Sequence, residues 1–110
     1  MIYVLNTLIV PVDFDKEDSV TVRFRKTTLE EVRKLLNENQ WTSAIGHKGT
    51  SEILTQILGI EIPENRVTVF FQKGDRGVHF FLKRRLPEGV VLSAQELEKL
   101  EYWLVLSEVL

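Results

Sequence analysis

No cysteine occurs among the 110 residues. Disulfides, a thiolate nucleophile and thiolate zinc ligands are therefore excluded, which fits a reducing compartment. Positive charge is not in surplus either: 14 Lys and Arg stand against 16 Asp and Glu, a formal net charge of -2 with a sequence pI of about 5.7. Such a surface does not attract polyanions as a whole, so a nucleotide ligand has to be held by a local basic site, and a wide face for duplex DNA is not expected. Long apolar runs are missing too. The opening Met1-Ile2-Tyr3-Val4-Leu5 is too short for a membrane span and lacks the basic flank and cleavage region of a signal peptide. The expectation is a cytoplasmic protein with no membrane partner. Internal repeats, low-complexity tracts and interdomain linkers are also lacking. What is present, 44% hydrophobic and 27% charged residues, suits one compact domain over residues 1–110, because a second core would be too small to hold itself together.

Ile2 to Ile9 is an almost continuous β-rich run, broken by Asn6-Thr7, and predicts a central strand ended by Pro11. An acidic loop follows, with Asp13, Asp15, Glu17 and Asp18 around Lys16. Val20 to Phe24 alternates apolar and polar residues as a second strand. Thr28-Leu29-Glu30-Glu31 is a capping box opening a helix whose inward face is Leu29, Val32, Leu35 and Leu36. Trp41 to Ile45 is ambiguous. From Lys48 a second helix is expected, with Ile53, Leu54, Ile57 and Leu58 inward and Gly59 as its left-handed terminator. Arg66 to Phe71 reads as a strand, Lys73 to Gly77 as a hairpin turn and Val78 to Lys83 as the returning partner. Ser93-Ala94-Gln95-Glu96 is another capping box, with Leu97 and Leu100 inward, and Tyr102 to Leu106 fits a closing strand. The sum is an α/β fold: one small domain with a roughly five-stranded mixed sheet and about three helices packed on it.

Two short stretches carry the chemistry: Ser43-Ala44-Ile45-Gly46-His47 before the second helix, and Lys83-Arg84-Arg85-Leu86-Pro87-Glu88-Gly89 after a strand. Together they hold an imidazole, a guanidinium and a carboxylate, a set that protonates a leaving oxygen, neutralises a phosphoryl oxygen and orients the imidazole without any metal or cofactor. Gly46 admits a ligand close to the backbone. The amides of Lys48, Gly49 and Thr50 are expected to be unpaired at the helix start, where anions bind and the helix dipole contributes about 0.3–1 kcal/mol. The blander alternative is a capped loop with an incidental histidine, and a solvated basic strand end whose Arg85–Glu88 pair contributes about 0–1 kcal/mol. His79 is read as structural.

The string Ser43 to His47, then Asn65-Arg66-Val67, Gly74-Asp75 and Arg85-Leu86-Pro87-Glu88-Gly89-Val90-Val91-Leu92-Ser93 resembles the viral ring nuclease family, type III anti-CRISPR enzymes of archaeal viruses and bacteriophages with relatives in bacterial mobile elements. The resemblance runs from Tyr3-Val4-Leu5-Asn6 to the C-terminal helix. It implies a homodimer that binds cyclic tetra-adenylate across its two-fold axis and cleaves it, without metal, to linear di-adenylates with 2′,3′-cyclic phosphate ends. It implies that His47 is the general acid, that Arg85 stabilises the phosphorane-like transition state and that Glu88 orients or tunes the histidine. Asn6 and Arg66 match positions near the nucleotide, and Lys48 to Thr50 match the phosphate contacts. Arg76-Gly77, Phe80 and Phe81 depart from the family pattern, in which a polar residue of that strand helps to hold the ligand. A non-catalytic protein that sequesters a cyclic nucleotide is the alternative. A nucleic-acid-binding protein is disfavoured by the charge and by the lack of a basic, aromatic-studded strand motif.

Overall fold

In a computed structural model, which describes residues 1–84 and 92–110, the strands form a mixed five-stranded sheet in the order β2-β5-β4-β1-β3. Strand β1 (Ile2–Leu5) pairs parallel with both β3 (Thr42–Ser43) and β4 (Arg76–Leu82). Strand β5 (Tyr102–Val109) pairs antiparallel with β4 on one side and with the edge strand β2 (Val22–Lys26) on the other. The α/β class, the strand count and the three helices agree with the sequence expectation.

Side-chain alternation along the strands divides the core into two layers. Ile2 and Val4 of β1, Val78 and Phe80 of β4, and Leu104 and Leu106 of β5 face helices α1 (Leu29–Glu38) and α2 (Lys48–Leu58). They meet Val32 and Leu36 of α1, Ile53, Leu54 and Leu58 of α2, and Ile45 and Ile62 from the loops. Each such side chain contributes about 1.5–3 kcal/mol on leaving water. On the opposite face Leu5, Phe71 and Val109 form a smaller cluster roofed by Val10, Val20 and Val69. That roof is incomplete: Phe24 and Trp103 stay 47% and 43% exposed, Phe81 stacks on Trp103 with ring centres 5.4 Å apart, and Lys83 Nζ lies 5.4 Å from the Trp103 ring centre. The basic, aromatic strand face that the sequence did not reveal is thus present in part, because its members come from three strands.

Helix termini follow the local sequence. Thr28 Oγ1 accepts from the Glu31 amide at 3.2 Å and caps α1. The other half of the expected box is diverted, for the Glu31 carboxylate receives Arg25 at 2.6 and 2.9 Å and the Thr27 hydroxyl. Those donors hold its pKa down at about 2, with Arg25 the larger cause. At Ser93 both halves form, each at 3.2 Å, and start α3 (Ala94–Glu98). Gly59 ends α2 with φ 68°, and its amide donates to Thr55 O at 2.9 Å.

Two expectations fail. Residues 66–71 are not a strand. Both edges of β4 are already taken by β1 and β5, so the proposed hairpin has no edge to pair with. The segment instead crosses to the loop after β1, through a bridge between Val12 and Phe71 and bonds from Phe71 N to Pro11 O and from Asp13 N to Phe71 O at 2.7 and 2.9 Å. The turn tightens at Gln72 to Asp75, with Gly74 at φ 94°, and Arg76-Gly77 already belong to β4. Strand β1 also stops at Leu5 rather than Ile9.

Candidate functional site

Because β1, β3 and β4 run in parallel, their C-terminal ends open on the same edge of the sheet, where α/β proteins collect their ligands. Asn6 follows β1 at that edge and is half-buried. From β3 the chain passes through Ile45 and Gly46 into α2. Its N-cap is His47 itself, with extended φ and ψ of -133° and 117°. The imidazole Nδ1 accepts from the Thr50 amide at 3.3 Å and lies 3.2 Å from Thr50 Oγ1. An acceptor Nδ1 places the proton of the neutral ring on Nε2. When the ring is charged, Nδ1 becomes a donor, and the Thr50 hydroxyl oxygen is then in place to receive it.

This geometry revises the anion site read from the sequence. The Thr50 amide is occupied by His47, so Lys48 and Gly49 supply the first-turn amides that carry no partner among the described residues. Gly49 has a steric reason: a Cβ there would stand 3.2 Å from His47 Cε1 and crowd the ring. At Gly46 a Cβ would meet Arg66 Cγ at an ordinary 3.6 Å, so the described protein does not itself require glycine there.

Arg66 joins the group through a clamp that the sequence did not disclose. Ser43 Oγ donates to Pro63 O at 2.6 Å, Asn65 Nδ2 to Ser43 O at 2.7 Å, and Asn65 N to Ile45 O at 2.8 Å. The segment 63–66 therefore lies along 43–46, and Arg66 Nε and Nη2 reach Gly46 O at 3.3 and 3.2 Å. The guanidinium is exposed beside the helix start that carries His47. Ser43 and Asn65 build the site without being candidate ligands, and although both lie in the strings that carry the resemblance, nothing in the sequence announced their bond to each other.

The structure thus gathers Gly46, His47, Lys48, Gly49, Thr50 and Arg66, and puts Asn6 at the end of a neighbouring strand. Arg85 and Glu88 lie outside the described residues. A groove of about 600 Å³ on the outer side of α2 touches Lys48 but also carries Glu52, Glu61 and Glu64, the wrong charge for a polyphosphate. Among the described residues no helix is long and apolar enough to cross a membrane.

Residues 2–104 match the family described as STIV B116-like. The chain belongs to this family. Among its relatives are uncharacterized protein 26 of a Sulfolobus islandicus filamentous virus, 38% identical over 110 residues that span 99% of this chain and 92% of that protein. Uncharacterized protein ORF117 of Acidianus two-tailed virus is 40% identical over 89% of this chain and 84% of its own length. Uncharacterized protein YddF of Bacillus subtilis is 40% identical over 70% and 73%. The family thus includes viral proteins and reaches a bacterium. The solved structure of B116 of Sulfolobus turreted icosahedral virus superposes with a TM-score of 0.80 at 24% identity over 97% of both chains, a likeness of fold.

Proposed function

We propose that this B116-like protein is a metal-independent ring nuclease that binds cyclic tetra-adenylate between two copies of the chain. The observation that supports this most is the fixed His47 ring at the start of α2, with Thr50 on Nδ1, Gly49 leaving it room and Arg66 folded against Gly46. The ligand's 2′-hydroxyl attacks the adjacent phosphorus and gives up its proton to solvent, the bond from phosphorus to the 5′-oxygen breaks, and His47 donates a proton to that oxygen. A 2′,3′-cyclic phosphate is left on one fragment, and cutting at two opposite linkages yields two di-adenylates. Arg85 neutralises charge on the phosphorane and Glu88 orients the imidazole, as the family resemblance implies. A two-fold dimer presents each group twice to a symmetric ring, and paired Arg66, Lys48 and Arg85 supply the charge that a net-acidic monomer lacks. Loss of the messenger would silence type III CRISPR effectors in the host cytoplasm.

The exposed Phe24 and Trp103 with Lys83 favour a second reading, a binder of single-stranded RNA. Incubation of purified protein with cyclic tetra-adenylate in excess chelator separates the possibilities. Turnover to cyclic-phosphate di-adenylates supports the nuclease, tight binding without products makes the protein a sequestering one, and affinity for RNA with indifference to the ring selects the second reading.

A further inference from the structure

The second histidine is fully buried, and two partners distant in sequence hold both its ring nitrogens. His79 Nδ1 lies 2.7 Å from Thr7 O, and Nε2 lies 2.7 Å from Ser107 Oγ. A carbonyl can only accept, so Nδ1 carries the proton, and in the neutral ring Nε2 accepts from the serine hydroxyl. Beside it in the sheet stand Leu5 of β1 and Val105 of β5, and Phe24 on β2 meets the ring in a T-shaped contact, centroids 5.6 Å apart; none of these is titratable. Burial holds the imidazole below its ordinary titration range, with the Thr7 bond pulling weakly the other way. Gly77 makes the arrangement possible: a Cβ on it would fall 2.5 Å from Ser107 Oγ and 2.6 Å from His79 Nε2.

What this buried group holds is the turn that ends β1. His79 sits opposite Leu5 in the ladder, and the next carbonyl but one, that of Thr7, bends out of the strand to meet its ring. Asn6 lies between them, at the sheet edge shared with His47. We infer that His79, locked by Ser107 and given room by Gly77, is a positioning residue that sets the place of Asn6 against the ligand. The inference about ligand rests on the ring-nuclease reading; the hold on the turn does not.

The test compares His79→Leu, which removes the donor, with His79→Asn, whose Nδ2–H can still reach Thr7 O, and with the milder Ser107→Ala. In the folded proteins, cyclic tetra-adenylate should bind roughly ten- to a hundred-fold more weakly to His79→Leu, in keeping with the effect of a displaced contact, while cleavage at saturation changes little and His79→Asn recovers most of the affinity. Long-range proton–nitrogen NMR should find the wild-type proton on Nδ1. Amide exchange at Asn6 and Thr7 should accelerate in His79→Leu and, less, in Ser107→Ala. Should His79→Leu prove too unstable to isolate, Ser107→Ala carries both measurements, with the smaller effects expected. Unchanged affinity in a folded variant with faster exchange would leave His79 a stability element and overturn the positioning role. Unchanged exchange would overturn the hold itself. Failure of the wild type to bind the ring is a different result: it removes the nuclease, and with it the role of Asn6, while exchange still decides whether His79 holds the turn.

Discussion

The two histidines of this chain invite comparison. His47 is half-exposed, and the ring contact described for it is with Thr50, three residues away. His79 is buried, and its partners are 72 and 28 residues away. The first is a helix N-cap whose Nδ1 takes a backbone amide; the second is a strand residue whose proton is committed to a carbonyl. Chemistry belongs where water and ligand can reach, and a buried imidazole with both nitrogens bonded is better suited to holding backbone in place.

The largest expected effect breaks the comparison at His47. His47→Ala should lower ring cleavage by about 10²–10⁴ or more while sparing binding. Its stability cost is that of a lost N-cap, about 1 kcal/mol. His47→Asn sharpens the test, because asparagine caps well but is no proton donor at neutral pH. It should lose as much activity as the alanine variant and keep the wild-type melting temperature. Equal activity in His47→Asn and wild type would reduce His47 to a cap.

Next comes Gly77→Ala, which drives a methyl group into the His79–Ser107 bond. Overpacking of this kind costs about 1–3 kcal/mol. Differential scanning calorimetry should find a clearly lowered Tm. Gly49→Ala is the mirror case at His47. Alanine in a first helical turn should leave stability level or raise it by a few tenths of a kcal/mol. A Cβ 3.2 Å from His47 Cε1 should still lower cleavage several-fold by tilting the ring, on the scale of small displacements at a reacting centre. Stability should therefore fall at Gly77 with cleavage at saturation little changed, and hold at Gly49 while cleavage falls.

The smallest effect is on acid sensitivity. The folded pKa of His79 lies below the unfolded value, so on acidification the unfolded chain takes up its proton first. The contribution of His79 is complete above about pH 6.5 and declines as pH falls from there through the folded value. Urea denaturation from about pH 7.5 to about pH 5 should show this decline in the wild type and a flatter course in His79→Asn. A wild-type profile that rises on acidification would contradict the neutral, Nδ1-protonated ring.

What could be read in the sequence follows the same division. Thr28, Ser93 and Gly59 mark helix ends through contacts within a few residues, and all three act as caps; His47 caps as well, which was not read in advance, since the Thr50 amide it takes was expected to be unpaired. Glu31 had a local partner in view, but Arg25 took its carboxylate. The hairpin over 66–83 failed for a long-range reason: turn residues at 73–77 announce a turn, but which strand β4 pairs with is decided by β1 and β5. At the site, Gly46 to Thr50 were adjacent in sequence and visible together. Arg66 arrived by resemblance, and the Ser43–Asn65 clamp that delivers it crosses about twenty residues of chain, 22 by count. Nothing local in Gly77, His79 and Ser107 announces a triad.

Strand β1 is the first of the described elements and lies between β3 and β4, whose residues begin at 42 and 76. Its Tyr3 and Val4 can meet β3 once residues 42–43 have followed, but the longer pairing of Ile2–Leu5 with β4 waits for residues 76–79. Closing the sheet is thus a late, non-local event, and folding is expected to be slow for so small a domain, with the β4-facing edge of β1 open in the interval.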